Sequence, residues 1–262
     1  GGAVQLLFQL PFLRKKEIRL RIDFDVFHPG ARQVGKLMLP RLFGVAVVQI
    51  TVFFNTFLAS YCEPGSNFYL FYADRLMELP LGVFAIALGT AVLPSFSRQS
   101  AEADPRELIE SVSFALRTIL FINLPAMVGL MVLGHPIIQL LFQRGEFDAH
   151  TTLLTYQALV CYTVGLWAYS ALRVVVPAFY ALQDTKTPVK SAALALGCHV
   201  VFSLLLIIPL GFRGLALSSA LSAVVNLSVL MVTLRRRLGR IDEEAIFRSL
   251  LKIGLASMAM GW

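Results

Sequence analysis

The stretch LFYADRLMELPLGV, residues 70–83, decides how this chain is read. Asp74, Arg75 and Glu78 stand inside a run otherwise as apolar as the core of a bilayer. On a helix, Asp74 and Glu78 are four apart and share a face, and Arg75 and Glu78 are three apart and within reach of each other. Pro80 has no N–H to offer the carbonyl of Leu76, so a helix kinks or breaks there. A charge at mid-bilayer costs at least ~2.5–3.5 kcal/mol on insertion scales, so intramembrane charges face a polar interior. A broken helix at that depth persists only where protein or a water-filled cavity satisfies the freed backbone. The triplet is therefore expected to line a polar cavity. The plainer reading is that Arg75, about 10 Å along a helix that starts near Phe68, snorkels to the outer interface.

The rest of the sequence supports a membrane setting. The chain has 262 residues, of which 57% are hydrophobic and 15% charged, with a mean hydropathy of +0.72. An ordinary globular domain is about 25% charged. Six stretches, near 34–60, 68–93, 116–134, 156–182, 188–210 and 214–234, each approach the roughly 20 residues that cross a bilayer as helix. The expected fold is an all-α polytopic membrane protein with a six-helix bundle over 34–234. Residues 1–13 read as the end of an earlier span, and residues 250–262 as the start of a later one. Residues 14–33 and 235–249 read as polar connectors. The chain thus reads as a piece of a longer protein.

A net charge of +7 could suggest nucleic acid, but its distribution points elsewhere. Of 23 Lys and Arg, eight fall in 14–41, three in 98–117, two in 186–190 and six in 235–252. The intervening loops hold only Arg144 and Arg213, while Arg75 and Arg173 lie within spans. This alternation is the positive-inside pattern, and it puts the basic segments in the cytoplasm. The basic run at 14–33 reads as a topology determinant, with anionic lipid binding as the other reading. The alternation in IRLRIDF reads as a short strand-like piece.

Several polar residues fall inside the predicted spans. Gln49 and Asn55 are amides in the first span, and the ordinary role of such amides is a hydrogen bond to a neighbouring helix. They are also candidates to contact a ligand. His199 reads as a satisfied helix-packing residue, and Asn226 as an interhelical hydrogen-bonding residue. The small residues of GLALSSALSAVVNLS in the last span allow close helix approach. Cys62, Cys161 and Cys198 have no metal-type spacing and read as small apolar filler. His135 and His150 lack the i,i+4 pairing of a helical metal site. Asp104 and Pro105 read as an N-cap and the first turn of a helix running into the third span. The stretch HPIIQLLFQRGEFDAHTT reads as a loop with a short amphipathic helix. There is no Walker loop, dinucleotide fingerprint, HExxH or nucleophile elbow, so no catalytic residue, metal or cofactor is expected.

YADRLMELPLGVFAIALGTAVLPSFSR resembles the signature of the MurJ/MviN family of lipid II flippases. The resemblance continues in KLMLPRLFGVAVVQITVFFNTFLAS, LLFQRGEFDAHTTLLTYQAL and VVVPAFYALQDTKTPVK, and covers nearly the whole chain. It implies a bacterial inner-membrane transporter of fourteen helices, with two six-helix lobes around a V-shaped cavity. This chain would supply the end of helix 6, helices 7–12 (the C-lobe) and the start of helix 13. The implied function is to move lipid II, an undecaprenyl-pyrophosphate-linked peptidoglycan precursor, from the inner to the outer leaflet by alternating access. The family's cavity arginine falls on Arg75 and its acidic neighbour on Asp74, with Glu78 at a further acidic position. Arg173 replaces a lysine that many members carry, which keeps charge but alters geometry. Gln49, Asn55 and Arg173 are the candidates for cavity or gating roles. The implied partners are lipid II, membrane lipids and the N-lobe of the same full-length protein, with no nucleic acid.

Three other readings compete with this one. The first is a related exporter that moves another polyprenyl-linked saccharide, or drugs, by ion antiport. The second is a membrane-embedded prenyl-phosphate transferase, which needs paired carboxylates holding Mg²⁺. Here Asp74 and Glu78 are the nearby candidates, and an adjacent arginine would weaken a metal. The third is a non-transporting scaffold.

Overall fold

In the computed structural model the described residues are 46–101 and 105–239, together with Leu42, all within one compact unit. They form eight α-helices and a π-helical turn, with no strand among them. The helices are α1 (Ala46–Ala59), α2 (Ser66–Pro80), α3 (Ala87–Ala101), α4 (Pro105–Phe142), α5 (Ala149–Thr163), α6 (Leu166–Ala181), α7 (Lys186–Leu210) and α8 (Phe212–Leu238). The connectors at 1–13, 14–33 and 235–249 and the segment at 250–262 lie wholly or largely outside the described residues. So do the strand-like piece at IRLRIDF, the Asp104 cap and most of the first half of the span expected at 34–60.

Pro80 ends α2, and the chain continues through the π-helical turn Leu81–Ile86 into α3. The missing N–H of proline leaves a carbonyl of the preceding turn without its partner, and a widened turn is one way a helix absorbs such a fault. The span is bent in its hydrogen bonding without being cut, and Ser66–Ser100 remains long and apolar enough to cross a membrane. So do Arg106–Phe142, Lys186–Leu210 and Phe212–Leu238. A fifth candidate is the pair α5 and α6, bent by 46°. The described part of the first span, Ala46–Ala59, is a shorter apolar helix. The protein is thus a multi-pass membrane protein whose described residues form helices and no strand.

One expectation fails. Gly134 does not end the third span, because α4 runs unbroken through His135 and Pro136 to Phe142. Gly134 instead lets α5 lie close, since a Cβ there would sit 2.9 Å from Leu159 and 3.2 Å from Tyr156. The Tyr156 hydroxyl donates to the Met131 carbonyl at 2.6 Å and secures the same contact. The helix continues because its apolar side keeps packing, and Ile138 is fully buried.

The two ends of the bundle sort the loops as the charge alternation requires. At one end Ser100 Oγ donates to the Ala181 carbonyl at 2.9 Å, and Arg237 pairs with Asp184 at 2.6 Å. These residues come from the segments read as cytoplasmic. At the other end the rings of Phe68 and Phe147 are 5.5 Å apart, and those of Tyr69 and Phe212 are 5.6 Å apart. These come from the opposite set of loops. Between the two ends lies a core that includes Leu76, Phe96, Ile119, Leu159, Leu166, Phe179, Leu215 and Leu230, all below 2% exposed.

Candidate functional site

A cavity of about 820 Å³ opens between α1, α2, α7 and α8, with the bend between α5 and α6 as part of its wall. Helix α2 presents Asp74 and Glu78 to it, one turn apart, as their spacing requires. Arg75 is not a wall residue. Its side chain is 57% exposed at the rim, where Nη1 donates to Glu78 Oε2 at 2.6 Å. Its guanidinium carbon lies 5.0 Å from the centre of the Phe71 ring, and Phe71 does line the cavity. Counting from Ser66, Arg75 is about 14 Å along the helix axis. One short helix stretch therefore gives the wall its carboxylates and the rim its guanidinium.

The opposite wall depends on the bend at 163–165. Gly165 lies against α8 so closely that a Cβ would be 2.7 Å from the Ala220 Cα. Its N–H donates to the Tyr162 carbonyl at 3.0 Å, and its own carbonyl accepts from Ala168 and Tyr169 at 2.9 and 3.0 Å. The chain thus ends one helix and starts the next around a glycine pressed on a neighbour. The bend is flanked by Tyr162 and Tyr169, and both line the cavity. Neither tyrosine stands out in the sequence; the signal is the glycine between them in CYTVGLWAY, within an otherwise helical run.

The third part of the wall is a polar network. His199 on α7 is 1% exposed, and its Nε2 lies 2.8 Å from Asn55 Oδ1 on α1. An amide oxygen can only accept, so Nε2 carries the proton in this pairing. Asn55 Nδ2 donates to Ser219 Oγ on α8 at 3.2 Å. Ser203 and Ser218, both fully buried, are joined at 2.8 Å, and each lies 3.4 Å from a ring nitrogen of His199. Deeper along the same pair of helices, Ser191 Oγ donates to Asn226 Oδ1 at 2.6 Å. The helix-bonding roles expected for Asn55, His199 and Asn226 are all present, and Asn55 also lines the cavity.

Gln49 and Arg173 are exposed and do not line this cavity. Arg173 instead offers its backbone to α3, since a Cβ at Gly89 would lie 2.5 Å from the Arg173 carbonyl oxygen. Cys62, Cys161 and Cys198 are free thiols, each partly buried. No cluster of three or more His, Cys, Asp or Glu that could hold a metal occurs among the described residues.

Comparison with known proteins places this bundle. The family model described as lipid II flippase MurJ matches residues 1–262. A probable lipid II flippase MurJ of Vibrio cholerae is 39% identical over 230 residues, which is 88% of this chain and 44% of that protein. A probable lipid II flippase MurJ of Haemophilus influenzae is 35% identical over 273 residues, covering 100% of this chain and 52% of that protein. A solved structure of a lipid II flippase MurJ in an inward closed conformation superposes with a TM-score of 0.77 at 29% identity, covering 94% of this chain and 50% of that one. A transporter of the MOP superfamily from Pyrococcus furiosus shares the fold, with a TM-score of 0.66 at 16% identity over 85% of this chain and 51% of that one. The chain spans about half the length of the relatives it matches. It belongs to the lipid II flippase MurJ family.

Proposed function

We propose that this chain is the C-terminal lobe of a transporter that carries lipid II across the bacterial inner membrane by alternating access. Residues 34–234 make the six-helix lobe, helices 7–12 of fourteen, and residues 1–13 and 250–262 belong to helices 6 and 13. Residues 14–33 and 235–249 are the cytoplasmic connectors. The N-lobe of the same protein closes the open side of the cavity, and the protein moves a lipid without chemical change.

The observation that carries this reading is the position of Arg75. A half-exposed guanidinium stands well inside an apolar span, beside a cavity, and among the described residues its ion pair is to a residue of its own helix. Its planar fork suits a pyrophosphate, which it can grip through two parallel hydrogen bonds. Glu78 holds the guanidinium in place, and Asp74 stands beside it on the wall. The test is Arg75→Ala in the full-length protein, expressed in a strain depleted of its own flippase. Growth should fail while membrane levels of the protein stay normal. Arg75→Lys should rescue poorly, because an ammonium keeps the charge and loses the fork. Normal growth of the alanine variant would sink the proposal.

A further inference from the structure

The wall of the cavity has a different polarity from its rim. Among the described residues its ionisable groups are Asp74, Glu78, Tyr162, Tyr169 and His199, with no lysine or arginine. Glu78 is neutralised by Arg75. Asp74 is not: its carboxylate has no ion pair and no hydrogen bond with the described residues. Tyr162 is only 7% exposed, it lines the same cavity, and its hydroxyl likewise has no hydrogen-bond partner among the described residues. A carboxylate without a cation inside an apolar span is costly, and the Tyr162 hydroxyl opens on the same cavity. Both groups are therefore built for something that enters the cavity.

The surroundings say what that is. The rings of Phe68, Phe71, Tyr162 and Tyr169 face the same space. Aromatic faces attract a cation through their quadrupole, a phenol oxygen accepts an N–H, and a carboxylate supplies the countercharge. Phosphate would be repelled by Asp74, so the anionic part of a ligand belongs at the rim and not on this wall.

We propose that Asp74, with Tyr162 and Tyr169, forms a subsite for a protonated amine. The ligand of this cavity then presents two opposite charges, an anionic group to Arg75 and an ammonium to Asp74. This deepens the transporter reading and rests on it. Within the substrate class of that reading, the ammonium is one carried on the headgroup.

The experiment is a binding measurement on the full-length protein in detergent. Two probes are compared: the lipid-linked precursor with its peptide amine free, and the same molecule with that amine acetylated. Acetylation is expected to weaken binding to the wild type about tenfold or more, the scale of a lost charge-assisted hydrogen bond. Asp74→Asn should weaken the free-amine probe by a similar factor and leave the acetylated probe unchanged. Tyr162→Phe should give a smaller loss on the free-amine probe alone. Equal wild-type affinity for the two probes, or equal loss of both in Asp74→Asn, overturns the amine site while the transporter reading stands. If the wild type binds neither precursor, the transporter reading fails instead. Dodecylammonium against N-acetyldodecylamine then decides the amine site separately. Preference for the ammonium that Asp74→Asn abolishes upholds it, and equal binding overturns it.

Discussion

His199 Nε2 and Asn55 Oδ1 stand 2.8 Å apart and join α7 to α1 across the wall of the cavity. The two residues are 144 positions apart in sequence, and Asn55 passes the link on to Ser219 of α8. Three helices are thus held at one polar point inside an apolar bundle. His199→Ala strands the Asn55 oxygen, while Ser218 keeps its bonds to Ser203 and the Leu215 carbonyl, and a stranded group costs about 1–3 kcal/mol. Thermal unfolding of the full-length protein in detergent should show a clear loss for His199→Ala. A smaller loss is expected for His199→Gln, which keeps a donor. Equal stability of the alanine variant and wild type would mean that the network is not a tie.

Gly82 and Gly89 sit seven residues apart in one span and should respond oppositely to the same substitution. A Cβ at Gly89 meets a backbone carbonyl of α6 at 2.5 Å, whereas a Cβ at Gly82 meets nothing within 4 Å. Gly89→Ala should destabilise by about 1–3 kcal/mol, the usual cost of overpacking against atoms that cannot yield. Gly82→Ala should be neutral or slightly stabilising, because glycine costs about 0.5–1 kcal/mol within a helix. A pair of melting curves checks both.

Asp184 fixes the turn between α6 and α7 to the end of α8. It accepts from the backbone N–H groups of Lys186 and Thr187 at 3.0 Å and from the Thr187 hydroxyl, and pairs with Arg237 at 2.6 Å. Burial alone would raise its pKa, but the Thr187 hydrogen bonds, Arg237 and the Lys186 N–H outweigh it and hold the carboxyl below its ordinary 3.8. A carboxyl depressed by folding stabilises the native state fully above its unfolded pKa, and loses that contribution as pH falls through the folded value. The stability gap between wild type and Asp184→Asn should therefore be constant at neutral pH and close below about pH 4. A gap independent of pH throughout would show that the charge of Asp184 is irrelevant.

Cysteine scanning along α2 should map the cavity face. With Cys62, Cys161 and Cys198 replaced, cysteines at 74 and 78 should react with a small membrane-impermeant thiol reagent. Cysteines at 73 and 76 should not, since Ala73 and Leu76 are 0% and 1% exposed. Uniform reactivity along the helix would contradict the helix face assigned here.

The sequence made the helices, their order and the sidedness of the loops legible, because apolar length and the placement of Lys and Arg are local signals. It also indicated that Asp74 and Glu78 share a face and that Pro80 disturbs a helix. It could not show that Arg75, one residue on from Asp74, stays at the rim. A helix places consecutive side chains about 100° apart, and which of them meets the cavity depends on the neighbours. Tyr162, Tyr169 and Ser219 were invisible for the same reason. They matter through the bend at Gly165 and through Asn55, which are contacts between segments far apart in sequence. The overrun of α4 past Gly134 was missed because the glycine serves packing against α5 and does not stop the helix.

The π-helical turn at Leu81–Ile86 has a consequence for how this span is numbered. Such a turn accommodates about one residue more than an α-turn, so everything after it is out of phase with everything before it by about 100°. A single helical wheel drawn from Ser66 to Ser100 misassigns one half or the other. Asp74 and Glu78 obey one wheel, and Gly89 and Phe96 obey a second. Deleting one residue between 81 and 86 would merge the two wheels. It would leave the carboxylates where they are and swing Gly89 away from the Arg173 carbonyl, so the cavity wall would remain while the packing of the span's far half was lost.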